Sequence, residues 1–290
     1  MPMVSLIASP ARRNLDPALV DSIRNAWGGG AADWLSPDEA AEFPVAEAPG
    51  NFWTVWEDLQ EMGIDLAMQR NGGPRRMLLA DMDSTMIEQE CIDELAAEAG
   101  VGPRVAEITA RAMNGELDFE GALRERVGLL AGLNAGVIAQ VLASRITLAP
   151  GGRELVATMR AHGSHTALVS GGFTAFTEVI AERLGFDEHR ANTLMIENEV
   201  LTGAVAEPIL GREAKVAALH EITVRLGTVP QEVIAVGDGA NDLGMLEIAG
   251  AGVALHAKPS VQAQAEIRIN HGDLTALLFL QGYTRAEFVT

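Results

Sequence analysis

A short apolar run, Met77–Ala80, ends abruptly in Asp81 and Asp83, two carboxylates one residue apart. The run lacks the alternation of a half-buried strand, which favours a parallel strand buried on both faces. Ligands of open α/β sheets bind beyond the carboxyl ends of such strands, so this strand would deliver both aspartates into a crevice. A polar strand-to-helix turn, with Ser84 or Thr85 capping the next helix, is the alternative interpretation.

A second stretch, residues 233–242, again joins an apolar run to glycines and carboxylates. If both runs are strands of one sheet, Asp238 and Asp242 meet Asp81 and Asp83 in the same crevice. Four carboxylates repel one another there unless a cation or protons intervene. Because the candidate ligands are oxygens, without a cluster of thiols or histidines, we expect the cation to be Mg²⁺. A solvated acidic turn explains either stretch alone but explains the pair poorly.

The chain is acidic, with a formal net charge of −19 over 290 residues. This charge argues against a nucleic-acid partner, which calls for basic patches, but not against phosphate binding at one local site. Cys91 is the only cysteine, which excludes an intramolecular disulfide and fits a reducing cytoplasm. The sequence contains no apolar run of membrane-spanning length and does not begin like a signal peptide. We therefore expect a cytoplasmic protein with no membrane partner.

The first part of the chain, residues 1–72, is predicted to form a small α/β domain. Asp16 followed by proline starts one helix in the manner of an N-cap, and residues 52–66 have the apolar spacing of a second helix. The glycine-rich segment 71–76 is interpreted as a linker. A regulatory role, a role in forming a homodimer and simple packing all remain open for this domain.

The second part, residues 73–290, alternates strand and helix patterns, which predicts a core with a parallel sheet. Residues 88–148 interrupt it with four predicted helices and no convincing strand. A helical block of this length exceeds a simple crossover, so we interpret it as a lid inserted over the end of the sheet. The four helices are predicted over 88–99, 104–113, 119–130 and 135–144.

Ser170, Gly171 and Gly172 follow a third predicted strand, 166–169, and are predicted to open a helix over 173–184. Glycines allow the backbone to approach an anion, and the amides at a helix N-terminus point toward it. The serine adds a hydroxyl donor. This pattern is common by itself, but its place at a third strand end indicates a phosphate site.

Lys215, early in a helix predicted over 212–226, is one of only two lysines. Beside a carboxylate cluster it would bind a phosphoryl oxygen and offset negative charge. A surface lysine is the alternative interpretation. Lys258, the other lysine, precedes a proline in a loop and is the weaker candidate.

These segments together resemble the four motif regions of the haloacid dehalogenase superfamily of phosphatases, in order and in spacing. The resemblance covers residues 76–288 and departs from the pattern at no motif position. Residues 87–96 and 119–126, with a predicted hairpin over 191–205, are similar to phosphoserine phosphatases within that superfamily. The resemblance implies a Rossmann-like core, a helical-bundle cap and a loosely matched N-terminal extension. The motif residues are Asp81 to Thr85, Ser170 to Gly172, Lys215 and Gly237 to Asp242.

The resemblance also implies a mechanism. Asp81 would attack phosphorus and become an aspartyl-phosphate, while Asp83 would protonate the leaving oxygen and then deprotonate water. Mg²⁺ would be bound by Asp81, Asp238 and the main-chain carbonyl of Asp83. Asp242 would support the metal waters or Lys215. The phosphoryl oxygens would be held by Ser170, Gly171, Gly172 and Lys215, with Asn241 positioning groups nearby.

Substrate choice would belong to the cap. The resemblance implies that Glu90 takes the ammonium of phosphoserine, and that Arg126 clamps its carboxylate through a bidentate pair. Met113 and Phe119 would shield the closed site from water. Without the resemblance, a solvated helix surface would be the preferred interpretation of Glu90 and Arg126.

The implied activity is Mg²⁺-dependent hydrolysis of the small molecule phosphoserine, the final step of serine biosynthesis. A related phosphatase or phosphotransferase acting on another small phosphomonoester, such as phosphohomoserine, is the nearest alternative. A phospho-acceptor signalling module is the alternative from another class. Such modules also combine an acidic cluster with a lysine, but they are much shorter and need no helical lid.

Overall fold

The protein is described here as a computed structural model covering residues 1–112 and 116–290, with Met113 described by its backbone only. Strands and helices alternate along most of the chain, as the predicted α/β class requires. The strands are β1 (Met3–Ala8), β2 (Asp33–Ser36), β3 (Ala40–Pro44), β4 (Ile64–Gln69), β5 (Met77–Ala80), β6 (His165–Phe173), β7 (Glu188–Asn192), β8 (Leu194–Glu197), β9 (Val200–Val205), β10 (Val233–Gly237), β11 (Ala251–Leu255) and β12 (Ile267–Ile269). The helices are α1 (Pro17–Ala26), α2 (Phe52–Met62), α3 (Cys91–Glu98), α4 (Gly102–Met113), α5 (Phe119–Gly128), α6 (Gly136–Ser144), α7 (Gly152–Ala161), α8 (Thr174–Leu184), α9 (Arg212–Leu226), α10 (Leu243–Ile248), α11 (Pro259–Gln262) and α12 (Ala276–Phe279).

Six strands form a parallel sheet in the order β12-β11-β10-β5-β6-β7. All residues of the central strand β5 are buried. Met77 and Leu79 pack on the face covered by α9 and α10, while Leu78 and Ala80 pack on the face covered by α7 and α8. Because both faces are covered, every position of β5 needs an apolar side chain, which explains its unbroken run. Each such leucine contributes about 1.5–3 kcal/mol of burial free energy.

The carboxyl ends of β5, β6 and β10 meet at one edge of this sheet. The main-chain N–H of Asp81 donates to the carbonyl of Val236 at 3.0 Å, one residue beyond the ladder pair of Ala80 and Val236. On the neighbouring strand β10, Gly237 is the last residue and Asp238 follows directly. The two acidic stretches are therefore adjacent, as predicted from the sequence.

The helix predicted over 173–184 is confirmed as α8, but the strand before it continues past its predicted end at Val169. Gly171 and Gly172 lie inside β6, and α8 begins only at Thr174. β6 shifts its register after Val169 and pairs again with β7 at Phe173. The strand conformation continues through both glycines, and β7 itself has no apolar run that would predict a strand.

The predicted insertion is present as α3 to α6, each within or close to its predicted range. A hairpin of β8 and β9 packs against α5. Asn198 and Glu199 turn this hairpin with φ values of 50° and 63°, the left-handed conformation that tight hairpins need. The predicted hairpin began too early, because residues 191–192 belong to β7 of the parallel sheet.

A second sheet, with the order β2-β3-β1-β4, is antiparallel and uses only residues 33–69 and β1. Helices α1 and α2 cover one face, where Val4 and Leu6 are buried. The other face, which includes Ile7 and Ala67, packs into the main hydrophobic core together with the parallel sheet. The N-terminal sheet is therefore sandwiched between its own helices and the rest of the protein.

The N-terminal helices begin where the sequence predicts, but one ends early. The Asp16 carboxylate accepts a hydrogen bond from the N–H of Ala18 at 2.8 Å and caps α1. The prediction of a helix over 52–66 is wrong after Met62, because Gly63 adopts a left-handed φ of 75° and ends α2. The following residues form β4 and pair with β1. Within residues 1–112 and 116–290, no helix is long and apolar enough to cross a membrane.

Candidate active site

A cavity of about 200 Å³ opens at the carboxyl edge of the parallel sheet, between the strand ends and the helical insertion. We call it the catalytic cavity. Acidic groups, glycines and cap residues from separate parts of the chain converge on it, as expected from the sequence. Among the predicted site residues, those lining it are Asp81, Asp83, Glu90, Phe119, Arg126, Ser170, Gly171, Gly172, Asp238 and Asn241.

Lys215 is fully buried directly beneath this cavity. Its Nζ lies 2.6 Å from Asp81 Oδ1 and 2.6 Å from Asp242 Oδ1. Burial alone would lower the pKa of Lys215, but the two carboxylates outweigh it and raise that pKa above its ordinary value. The lysine is therefore a fixed positive charge, and the surface-lysine interpretation is wrong.

Oxygens of Asp81, Asp238 and Asp242 lie within 4.8 Å of one another. Burial, and then the charge of Asp242, raises the pKa of Asp81 well above its usual range although Lys215 opposes the shift. The same two causes raise the pKa of Asp238 to about 7. The repulsion expected from the sequence is thus present, and this set of hard oxygen donors fits a small divalent cation.

Asp242 is less free to bind an ion than the other two. Its Oδ1 contacts Lys215, and its Oδ2 accepts a hydrogen bond from the N–H of Gly239 at 3.0 Å. Asp242 does not line the catalytic cavity, whereas Asp81 and Asp238 do. This arrangement suits the supporting role implied for Asp242 and leaves the other two to face a cation.

We expect Mg²⁺ to raise the unfolding temperature more at pH 8 than at pH 5. The pKa values of Asp81 and Asp238 are raised in the folded protein, so their favourable contribution to metal-free stability is present at low pH. It is lost as pH rises through the folded pKa values, which is about 7 for Asp238. A cation binds the deprotonated carboxylates, so Mg²⁺ affinity should fall by about tenfold per pH unit below that pKa. Thermal unfolding with and without Mg²⁺ across this pH range measures the effect.

Asp238→Asn should remove most of this Mg²⁺ response, while Asp93→Asn should keep it. Asp93 is a matched control because its pKa is also raised by burial, yet it does not belong to the cluster. Chelation should stop catalysis, and Ca²⁺ should restore it poorly because its larger, looser coordination shell fits less well. An equal Mg²⁺ effect at pH 5 and pH 8 would contradict the cluster as the cation site.

The carboxylate of Asp83 accepts hydrogen bonds from two donors. Its Oδ1 accepts from the main-chain N–H of Cys91 at 2.9 Å, and its Oδ2 accepts from the Ser170 hydroxyl at 3.3 Å. Burial, followed by the charge of Glu90, raises the pKa of Asp83 to about 6. Near neutral pH the group is therefore suited to both giving and taking a proton.

The close approach of Asp83 and Phe119 to the backbone explains why positions 171 and 172 are glycines. A side chain at Gly172 would place its Cβ 2.4 Å from Asp83 Oδ2, and one at Gly171 would lie 3.1 Å from the ring of Phe119. The Gly172 N–H donates to the Ser170 hydroxyl at 2.9 Å. Glycine at these two positions therefore leaves room for the Asp83 carboxylate and the Phe119 ring beside the strand end.

Asn192 supports this strand end and was not predicted from the sequence. Its side-chain amide donates to the carbonyl of Gly171 at 2.8 Å, and its Oδ1 accepts from the N–H of Leu210 at 2.6 Å. Its side chain is buried, on an edge strand with no apolar signal. A buried asparagine needs such partners, but only the fold reveals that it is buried.

The cap contributes Glu90 and Arg126. Glu90 Oε1 accepts from the Ser84 hydroxyl at 2.8 Å, and Ser84 adopts a left-handed φ of 53°. Ser84 therefore orients Glu90 and is not a helix cap, since α3 begins only at Cys91. Burial lowers the pKa of Arg126, while Asp93 and then Glu90 oppose that shift. A carboxylate and a guanidinium thus face the same cavity.

Met113 and Lys258 are the remaining candidates from the sequence. The side chain of Met113, predicted to shield the site, lies outside the described residues. Lys258 was predicted to be the weaker candidate for a phosphate-binding lysine. It lines the catalytic cavity beyond the end of β11. Its position after a parallel strand was the available signal.

The chain matches a known protein family. The sequence model of the haloacid dehalogenase-like hydrolases matches residues 78–247. A phosphoserine phosphatase of Streptomyces coelicolor is 44% identical over 256 residues, which make up 87% of this chain and 62% of that protein. The chain therefore spans less than two thirds of this relative.

Two solved structures are similar over large parts of the chain. A haloacid dehalogenase family hydrolase from Salmonella enterica serovar Typhi has a TM-score of 0.85 and 31% identity, over 96% of this chain and 97% of that one. A substrate-bound phosphoserine phosphatase has a TM-score of 0.67 and 38% identity, over 73% of this chain and 99% of that one. The first similarity extends to the N-terminal sheet as well as to the parallel sheet.

Proposed function

Because the chain belongs to the haloacid dehalogenase-like hydrolase family, we propose that it hydrolyses O-phospho-L-serine to serine and inorganic phosphate, with Mg²⁺ as the cofactor. The observation that carries this proposal is the pairing of two charge patterns in one cavity. Carboxylates that include Asp81, which contacts the buried Lys215, line its floor, while Glu90 and Arg126 enter from the cap. The relatives named phosphoserine phosphatase support the same substrate.

Catalysis would run in two steps. A carboxylate oxygen of Asp81 bonds to phosphorus as the bond from phosphorus to the serine oxygen breaks, and Asp83 gives its proton to that oxygen. Water then attacks the aspartyl-phosphate, its proton passes to Asp83, and Asp81 is restored. A divalent cation at Asp81 and Asp238 would neutralise charge on the phosphoryl oxygens. The contact from Lys215 to Asp81 keeps the attacking carboxylate in place.

The phosphoryl group would lie against Ser170, Gly171 and Gly172, which line the catalytic cavity. Charge neutralisation and positioning are the main requirements of phosphoryl transfer, and the buried ammonium of Lys215 meets the first of them. Asn241 also lines this part of the cavity. These assignments place the reacting bond between the strand ends and the cap.

The amino-acid end of phosphoserine carries an ammonium and a carboxylate. Glu90 is the acidic group on the cap side and suits the ammonium, while Arg126 suits the carboxylate as a bidentate donor. Phe119 lies between the cap and Gly171, where it limits access of water. A substrate lacking either charge would lose one of these partners.

A phosphate-release assay tests the proposal. The substrates are phosphoserine, phosphothreonine, phosphohomoserine and simple sugar phosphates, each with and without Mg²⁺. We expect phosphoserine to give the highest kcat/KM, and turnover to depend on the metal. A higher kcat/KM for phosphohomoserine would favour the alternative of another small phosphomonoester. Stoichiometric phosphorylation without turnover would favour the signalling module.

Arg126→Ala should reduce kcat/KM for phosphoserine far more than for a generic aryl phosphate. A charge-assisted hydrogen bond is worth ~1.5–3 kcal/mol, so the expected loss is roughly 10- to 150-fold. Part of it should appear in kcat, because binding energy away from the reacting bond helps to align it. Glu90→Gln should show the same selectivity through the ammonium.

Arg124→Ala is the matched control. Arg124 lies on the same helix but is exposed and pairs with Glu120 and Glu207. Its removal should leave kcat/KM for both substrates nearly unchanged. If Arg126→Ala lowers kcat/KM equally for both substrates, the cap arginine is structural. The assignment of phosphoserine then loses its support from the site.

The compartment proposed is the cytoplasm. Cys91, the only cysteine, is buried in the structure, and burial raises the pKa of its thiol. A protein without disulfides suits a reducing compartment.

A further inference from the structure

A second and larger cavity, of about 640 Å³, lies at the opposite edge of the parallel sheet from the catalytic cavity. We call it the junction cavity. It opens beside the amino ends of β10, β11 and β12, with Gln231, Ala251 and Ile267 in its wall. The end of β4 and the segment that joins the two sheets form its other side. This volume is typical of a site for a small molecule.

The charge of the junction cavity contrasts with that of the whole chain. Arg70, Arg75 and Arg212 line it against two acidic residues, Glu247 and Glu266. The lining therefore carries a formal charge of three minus two, or +1, in a chain whose net charge is −19. A local positive surface in an acidic protein favours a negatively charged occupant.

Arg75 is the most informative residue of this lining. It lies in the segment predicted as a flexible linker, yet it is only 8% exposed. Its Nη2 donates to Gln69 Oε1 at 3.0 Å and to the carbonyl of Asn71 at 2.6 Å, while Nη1 reaches the carbonyl of Gln231 at 3.4 Å. Among the described residues, its Nε has no hydrogen-bond partner.

The guanidinium of Arg75 thus has neutral oxygens for partners and no ion pair within residues 1–112 and 116–290. Burial lowers its pKa, and no carboxylate offsets that shift. Among the described residues the other buried cation is Lys215, which contacts two carboxylates. Buried charges in proteins are normally paired or bind a counter-ion, because an unpaired buried charge is strongly unfavourable.

We propose that the junction cavity binds a small oxyanion, a carboxylate or a phosphate, with Arg75 and Arg70 as its cationic partners. Arg75 offers a rigid guanidinium that its three oxygen acceptors hold in place. The side chain of Arg70 is 89% exposed and pairs only weakly with Glu266, at 3.8 Å, so it is free to turn toward a ligand.

The junction cavity also reaches the elements that hold the catalytic charges. Arg212 starts α9, which carries Lys215 one turn later, and Leu243 follows Asp242 at the start of α10. An occupant therefore contacts both helices whose residues position Asp81. The site is separate from the catalytic cavity, and its existence does not depend on the substrate proposed above.

Thermal unfolding of the full chain with two probes, sodium malonate and inorganic phosphate at constant ionic strength, tests the site. We expect a saturable rise in unfolding temperature for at least one probe. Arg70→Glu should weaken the apparent affinity by about tenfold or more, since it replaces a cationic donor with a like charge. Arg70 is chosen because it is exposed, whereas Arg75 also holds the junction of the two sheets and its variants risk misfolding.

Arg76→Glu is the matched control. Arg76 neighbours Arg75, is 61% exposed and lies outside the cavity lining. It should leave the affinity within about twofold of wild type, which supports a local site over general electrostatics. A response to malonate identifies a carboxylate ligand, and a response to phosphate alone identifies a phosphate ligand. Phosphate binding that survives Arg70→Glu belongs to the catalytic cavity, so it overturns the proposal unless Arg70→Glu weakens the binding of malonate. Equal losses in both variants, or no saturable response, also overturn the proposal.

Discussion

Asp81→Asn should abolish turnover of phosphoserine without weakening the fold. An amide is not nucleophilic enough to form the acyl phosphate, so the first chemical step is lost. The fold should tolerate the change because Lys215 keeps its second carboxylate, Asp242, at 2.6 Å. Burial and like charge raise the pKa of Asp81, so folding disfavours its ionised form. The metal-free unfolding temperature should therefore be equal to or higher than that of wild type.

Asp65→Asn is the control, for which we expect lower stability and retained turnover. Asp65 is also fully buried, but it lies in β4 and accepts hydrogen bonds from the main-chain N–H groups of Asn270, His271 and Gly272. Its loss should destabilise the fold by roughly 1–3 kcal/mol while the folded fraction still turns over. Phosphate release and thermal unfolding, measured on both variants, separate chemistry from stability. Sustained turnover by Asp81→Asn, in protein shown by mass to contain no reverted aspartate, would contradict the assignment.

The central strands could be predicted because their burial is complete. β5 and β10 are covered on both faces, so their apolar runs are continuous and their ends are marked by carboxylates. The edge strands lack a continuous apolar run that ends in carboxylates. β7 reads Glu-His-Arg-Ala-Asn and is mostly half-buried, and β12 has only three residues. Their strand conformation comes from pairing with a neighbour, which the local sequence does not encode.

The error over residues 52–66 has the same origin. Phe52 to Met62 have helical spacing, and the apolar residues beyond Gly63 happen to continue it. The backbone leaves the helix at Gly63, and β4 then forms because β1 offers hydrogen-bond partners along its whole length. Gly63, four fifths of the way along this segment, was the only local sign that the helix ends.

The site was predictable where one short segment supplied both the strand and the chemistry. Asp81 and Asp83 follow β5 directly, and Asp238 follows β10, so adjacent parallel strands bring them together. Asn192 and Lys258 were missed or ranked low because their contribution depends on where an edge strand and a loop are packed. The distances between such residues are set by the assembled sheet. They cannot be predicted from composition or periodicity.

Asp83→Asn should slow hydrolysis of phosphoserine by ~10²–10⁴-fold, the usual contribution of general acid–base catalysis. The serine alkoxide is a poor leaving group and needs the proton that Asp83 supplies. The pKa of about 6 keeps part of this group protonated near neutral pH, and the hydrogen bonds from Cys91 and Ser170 fix its orientation. The asparagine side chain has the same shape, so the loss should reflect proton transfer and not misplacement of the substrate.

A substrate with a better leaving group tests whether Asp83 acts by proton transfer. An aryl phosphate releases a stabilised phenolate that needs no proton, so formation of the aspartyl-phosphate on Asp81 should be nearly normal in Asp83→Asn. The second step should remain slow, because the water has lost its base. Stopped-flow mixing should therefore show a burst of phenolate close to one equivalent per enzyme, followed by slow turnover, whereas wild type should show no such separation of phases. If the variant loses the burst as well, Asp83 acts on the first step by positioning the phosphoryl group, and the assignment of proton transfer to its carboxylate is wrong.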